Sequence, residues 1–115
     1  MISTEEKKET IYTVLLDNDN EESELNNYST GKLVHLIQTI CKSYVGKFTV
    51  RKEESGYIYE NGTMRRNNSF VLNFFNADEE TINNIAADLC AFFKCKDVYI
   101  SRREEYRHIV TDKII

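Results

Sequence analysis

The chain contains no proline, only four glycines and only three cysteines in 115 residues. With no proline-rich linker, no low-complexity segment and no internal repeat, a single domain over residues 1–115 is expected. That length buries a core without a disulfide or metal staple. The missing proline also excludes the small β-α-β tautomerases, which depend on an N-terminal proline where this chain reads Met1-Ile2. No apolar run approaches the roughly 18 residues of a membrane helix, and the mean hydropathy is -0.51. No membrane partner is therefore expected. Residues 1–9 are charged and lack the apolar stretch of a secretory leader, so they read as a flexible N-terminus of a cytoplasmic protein.

Histidine and cysteine are too sparse for a metal centre. His35 and His108 are the only histidines, and neither stands at zinc-finger spacing from Cys41, Cys90 or Cys95. No metal and no cofactor are expected. An odd cysteine count fits reduced thiols rather than a secreted scaffold. Cys41 and Cys90 read as small buried hydrophobes, and Cys95 as the more exposed of the three.

Charge is unevenly spread. Residues 1–30 hold eight acidic and two basic side chains, whereas residues 31–115 hold eleven and thirteen. The run Asp17-Asn18-Asp19-Asn20-Glu21-Glu22-Ser23-Glu24 offers oxygen ligands but lacks the glycine and glutamate of an EF-hand loop, so it reads as a solvated loop. A pI near 5.2 argues against long nucleic acid as a partner. A small anion needs only a few arginines and remains compatible.

The periodicity predicts β-α-β-β-α-β. Thr10–Leu16 is β-branched and aromatic, a strand. Leu33, Leu36, Ile37, Ile40, Cys41 and Tyr44 then form the stripe of a helix near residues 30–45, opened by a Ser29 or Thr30 cap and closed by Gly46. Phe48–Arg51 and Gly56–Glu60 lead to Asn61-Gly62, the pair favoured in a type I′ turn. Thr63–Arg66 returns, and Ser69–Phe75 reads as a central strand. Asn76 with Glu79 suggests a capping box for a helix near residues 77–94, striped by Ile82, Ile85, Ala86, Leu89, Phe92 and Phe93. Asp97–Ser101 is the last strand, and residues 106–115 are apolar enough to dock as a strand or meet another subunit. The fold class is α+β, ferredoxin-like, with two helices on one face of an antiparallel sheet. The other face must be solvated, bound to ligand or packed on a second subunit, so a homo-oligomer is expected.

Catalytic motifs are lacking. There is no G-x-S-x-G, H-E-x-x-H, P-loop or G-x-G-x-x-G. The Glu53-Glu54 and Glu104-Glu105 pairs point to opposite faces of a strand and form no dyad. No catalytic residue is assigned, and the chain is expected not to be an enzyme. Binding chemistry is better represented. Arg51, Arg65, Arg66, Arg102 and Arg103, with Tyr57 and Tyr59 on the facing strand and Asn68 nearby, offer phosphate pairing, base stacking and amide hydrogen bonds. The bland alternative is that these arginines solubilise surface strands beside Glu60, Glu104 and Glu105.

Gly46–Val50, Gly56–Gly62, Asn68–Leu72, the second helix and Asp97-Val98 together form a pattern similar to small phage proteins that sequester nucleotide second messengers, in particular the first type of anti-Thoeris sponge. The resemblance covers about residues 10–101. It implies non-catalytic sequestration of a cyclic ADP-ribose signal, blocking anti-phage TIR signalling, with a small anionic nucleotide as partner. Two other classes fit the same sequence. One is a protein-interaction inhibitor, resembling an anti-CRISPR, that acts through the acidic N-terminal region. The other is a small-metabolite enzyme of the same fold.

Overall fold

In a computed structural model, residues 2–17, 25–41 and 44–112 are described. Strand β1 (Ile2–Asp17) is followed by a short 3-10 turn and helix α1 (Thr30–Ile40). Strands β2 (Phe48–Ile58) and β3 (Met64–Phe75) form a hairpin, and helix α2 (Glu79–Phe93) leads to β4 (Val98–Asp112). The sheet order is β2-β3-β1-β4, and every neighbouring pair is antiparallel. This is the expected ferredoxin-like α+β arrangement.

Alternation along the central strands builds the core. Tyr12, Val14 and Leu16 of β1 and Phe70, Leu72 and Phe74 of β3 face the helices. Leu33, Ile37 and Cys41 meet them from α1, and Ile82, Ile85, Ala86, Leu89 and Phe93 from α2. Each large side chain buried this way contributes about 1.5–3 kcal/mol. Phe92, expected on the α2 stripe, is half-exposed and lies edge-on to Phe93 and Tyr28.

Local signals decide the helix ends, and several differ from the sequence reading. Ser29 caps α1 by accepting from Lys32 N–H. The helix stops at Ile40 with Cys41 as C-cap, so Gly46 lies beyond it. Asp78, and not Asn76, caps α2, since its carboxylate accepts from Thr81 N–H at 2.7 Å. Those hydrogen bonds hold the Asp78 carboxyl below its ordinary pKa. Asn76 instead turns the chain at φ 57°, and its N–H donates to Thr10 carbonyl. In the β2–β3 turn only Gly62 has positive φ, and its N–H donates to Tyr59 carbonyl. That is a three-residue loop with a glycine bulge, not the expected type I′ turn.

Both ends of the sheet extend into two-stranded arms. Residues 2–9, expected to be a flexible tail, pair with Asp112–Glu105 of β4. At the other end, β2 and β3 run on together to Ile58 and Met64. The radius of gyration of 17.5 Å reflects these arms, since a compact chain of this length has about 13 Å. The acidic run's residues 18–24, and with them most of the notional cation loop and interaction segment, lie outside the described residues.

None of Cys41, Cys90 and Cys95 forms a disulfide. Cys95 is buried rather than exposed. Burial, with Asp88 nearby, pushes the Cys41 thiol up to about 11, which leaves it protonated at neutral pH. No helix is long and apolar enough to cross a membrane, and no metal-binding cluster occurs among the described residues.

Candidate ligand-binding site

The eight candidate residues do not converge on one place. Arg51 and Arg103 lie on the sheet face away from the helices, on the two outer strands. Three strand spacings put them about 14 Å apart across the sheet, with about 13 Å of rise along it. They cannot clamp one phosphate. Both are engaged already: Arg51 pairs with Glu53 at 2.8 Å, and Arg103 with Glu105 at 3.0 Å. Arg102 faces the helix side, where Tyr12, Glu79 and Asn83 line a hollow with it.

Arg103 also ends a chain of hydrogen bonds that crosses all four strands. Its guanidinium donates to Thr13 Oγ1 at 3.0 Å, and that hydroxyl donates to Asn73 Oδ1 at 2.7 Å. Asn73 Nδ2 then donates to Thr49 Oγ1 at 3.1 Å. The row polarises a face that would otherwise show Leu15, Val71 and Tyr99, and fixes the register of the sheet. Glu105 anchors its end, and its carboxyl sits below the usual range because Arg103 donates to it and Arg107 lies beside it.

The hairpin arm brings together the rest of the set. Tyr57 stands opposite Arg65, and the Tyr57 and Tyr59 rings meet edge to face at 5.0 Å. The cation–π contacts of the described residues lie elsewhere, at Phe70 and Phe75, so these tyrosines are packed on one another rather than on an arginine.

On the other face of the same arm, Gly56 stands opposite Arg66. A glycine inside a strand removes a side chain from the pleat and lets a ligand approach backbone. Here it opens a hollow of about 400 Å³ lined by Glu54, Ser55, Gly56, Met64, Arg66, Asn67 and Asn68. A Cβ on Gly56 would stand 3.4 Å from Met64 Sδ, so the hollow is floored by the glycine and walled by the thioether. Its chemistry is mixed: one guanidinium, one carboxylate, two amides and an apolar wall. That set suits a ligand with a flat ring, hydroxyls or an amine, and one anionic group. Gly56, Glu54 and Met64 were not singled out from the sequence. The glycine between Ser55 and Tyr57, inside an otherwise strand-like run, was the available signal.

No family model matches the sequence, and no curated protein matches it either. The fold does have counterparts among solved structures. A phage SAM lyase in its apo state superposes with a TM-score of 0.64 at 12% identity, covering 92% of each chain. A phage SAM lyase in complex with S-methyl-5'-thioadenosine gives 0.57 at 12% identity over 90% of each chain. CutA from Synechococcus elongatus, complexed with Bis-Tris, gives 0.53 at 11% identity, covering 96% of this chain and 90% of that one. At such identities the likeness establishes the shared ferredoxin-like fold.

Proposed function

We propose that this chain binds a small nucleoside-type ligand in the arm hollow and holds it intact. The observation that carries the reading is the hollow itself, where Gly56 leaves room across from Arg66, with Glu54 on its own strand and Met64 on the facing one. Arg66 takes the ligand's phosphate, Met64 stacks on its base, and Glu54 accepts from ribose hydroxyls or an exocyclic amine. Asn67 and Asn68 supply amides for the base edge. The phage enzyme with this fold, solved with a thionucleoside, supports the ligand class. The finer reading is sequestration of a cyclic ADP-ribose signal, which the pattern of Gly56–Gly62 and Asn68–Leu72 suggests. Protein purified from cells with active TIR signalling, then heat-denatured, should release an intact nucleotide that mass spectrometry identifies. Release of nothing, or of cleaved fragments only, would overturn sequestration.

A second reading has its own support, because 92% of this chain superposes on 92% of a phage SAM lyase. In that case incubation with S-adenosylmethionine breaks the bond from the sulfonium sulfur to the amino acid chain and yields S-methyl-5'-thioadenosine with the four-carbon amino acid fragment as the second product, and the enzyme reading replaces storage.

The assembly belongs to the same proposal. Tyr57, Ile58, Tyr59 and Met64 are exposed at one arm, and Ile2, Tyr106, Ile109 and Val110 at the other. Water tolerates such clusters poorly, and both β2 and β4 are outer strands whose far edges stand open in the sheet. A homo-oligomer that covers the arms satisfies both.

A further inference from the structure

A further hollow lies at the opposite end of the sheet, on the face away from the helices, and does not depend on the arm reading. It measures about 390 Å³ and is lined by Lys7, Glu9, Gly46, Lys47, Phe75 and Arg107, among others. Two cations flank one ring there: Lys47 Nζ is 5.1 Å from the Phe75 centroid, and Arg107 Cζ is 5.5 Å from it. Lys7 and Arg107 stand directly opposite each other in the β1–β4 register. Like charges so placed repel.

The local carboxylates do not balance this cluster. Glu9 lies 3.1 Å from Arg107, and Glu105 lies 3.5 Å from Arg107 while also holding Arg103. Two carboxylates thus serve two arginines. Among the described residues, Lys7 and Lys47 have no carboxylate within ion-pairing distance. The hollow keeps an excess of two positive charges.

Its wall is held in place before any ligand arrives. The Tyr44 hydroxyl sits between the Lys47 and Phe75 carbonyls and accepts from Phe75 N–H at 3.1 Å. Phe75 N–H also donates to Lys47 carbonyl at 3.1 Å. Gly46, at φ 151°, brings the chain past that hydroxyl so closely that a Cβ would stand 2.9 Å from it. A fixed backbone, an aromatic floor and two uncompensated ammonium groups are the parts of an anion site.

We propose that this hollow binds a phosphate-bearing small molecule, with Lys7 and Lys47 as its ligands and Glu9 holding Arg107 back from full engagement. The ¹⁵N-labelled full chain titrated with inorganic pyrophosphate at low ionic strength tests it. Saturable shifts should appear at the amides of Gly46, Lys47 and Asn76. Lys7→Met and Lys47→Met keep their apolar stems, and each should weaken binding about tenfold or more. Glu9→Gln should tighten binding, because it removes the one carboxylate inside the hollow. Absence of saturable shifts in the parent protein would overturn the proposal. So would shifts centred on Arg65 and Arg66, or methionine variants that titrate like the parent.

Discussion

Gly56 and Arg66 are direct partners across the β2–β3 arm, and the missing side chain of the first creates the space beside the second. The arrangement separates binding from stability. Gly56 carries no positive φ, and its Cβ position makes only an ordinary contact with Met64 Sδ at 3.4 Å. Gly56→Val therefore fills the hollow without backbone strain and suits a strand better than glycine does. Its melting temperature should hold or rise, by about 0.4–1 kcal/mol of stability, while ligand binding is lost. Thermal melts with and without ligand check both halves.

Arginine variants should sort by position rather than by charge. Arg66→Ala should weaken ligand binding about tenfold to a hundredfold. Arg102→Ala removes the same charge from a separate hollow on the helix side and should leave the affinity unchanged. Parallel calorimetric titrations of the two variants make the comparison. Equal losses would mean that a diffuse field, and not the arm hollow, holds the ligand.

The cross-sheet row is structural. Thr13→Val keeps the shape but deprives Asn73 Oδ1 of its donor and Arg103 of one of its two acceptors. The expected cost is about 1–3 kcal/mol, read as a lower urea midpoint at unchanged slope. Ligand affinity in the arm should not move.

Acid should loosen the β1–β4 arm. The Glu105 carboxyl is held below its ordinary 4.5 by the hydrogen bond from Arg103 and the nearby Arg107. A depressed folded pKa gives stability that is present above about 4.5 and lost as pH falls through the lower folded value. Glu105→Gln should flatten that acid limb by lowering neutral stability toward the level the parent has in acid. Amide exchange in residues 103–107 across pH 3 to 6 reads the effect (a working window of about this width spans the carboxylate range).

The sequence made the core and the β2–β3 hairpin legible and the first half of β1 illegible, for one physical reason. Leu33, Ile37 and Cys41, or Val14 and Leu16, carry their partnership in local spacing, so periodicity finds them. Residues 2–9 read Ile-Ser-Thr-Glu-Glu-Lys-Lys-Glu, with no alternation to betray a strand, because that strand is exposed and is held by partners a hundred positions away. The same distance hides the anion hollow: Lys7, Lys47, Phe75 and Arg107 come together only through the register. The caps misled for a smaller reason. Asn76 and Asp78 are both good capping residues two apart, and the backbone turn at Asn76 leaves the cap to Asp78. Among the candidate arginines, Arg103 pairs with Glu105, as the surface alternative had it, whereas the Arg51–Glu53 pair, also two residues along one strand, was not anticipated.

The central claim is that the arm hollow takes and keeps a small nucleotide. The most direct measurement is calorimetric titration of the parent protein and Gly56→Val with a cyclic ADP-ribose isomer, followed by heat denaturation and chromatography of the released ligand. The account predicts stoichiometric binding by the parent, none by the variant, and recovery of the ligand unchanged. Equal binding by both proteins, or recovery of a cleaved ligand, would contradict it.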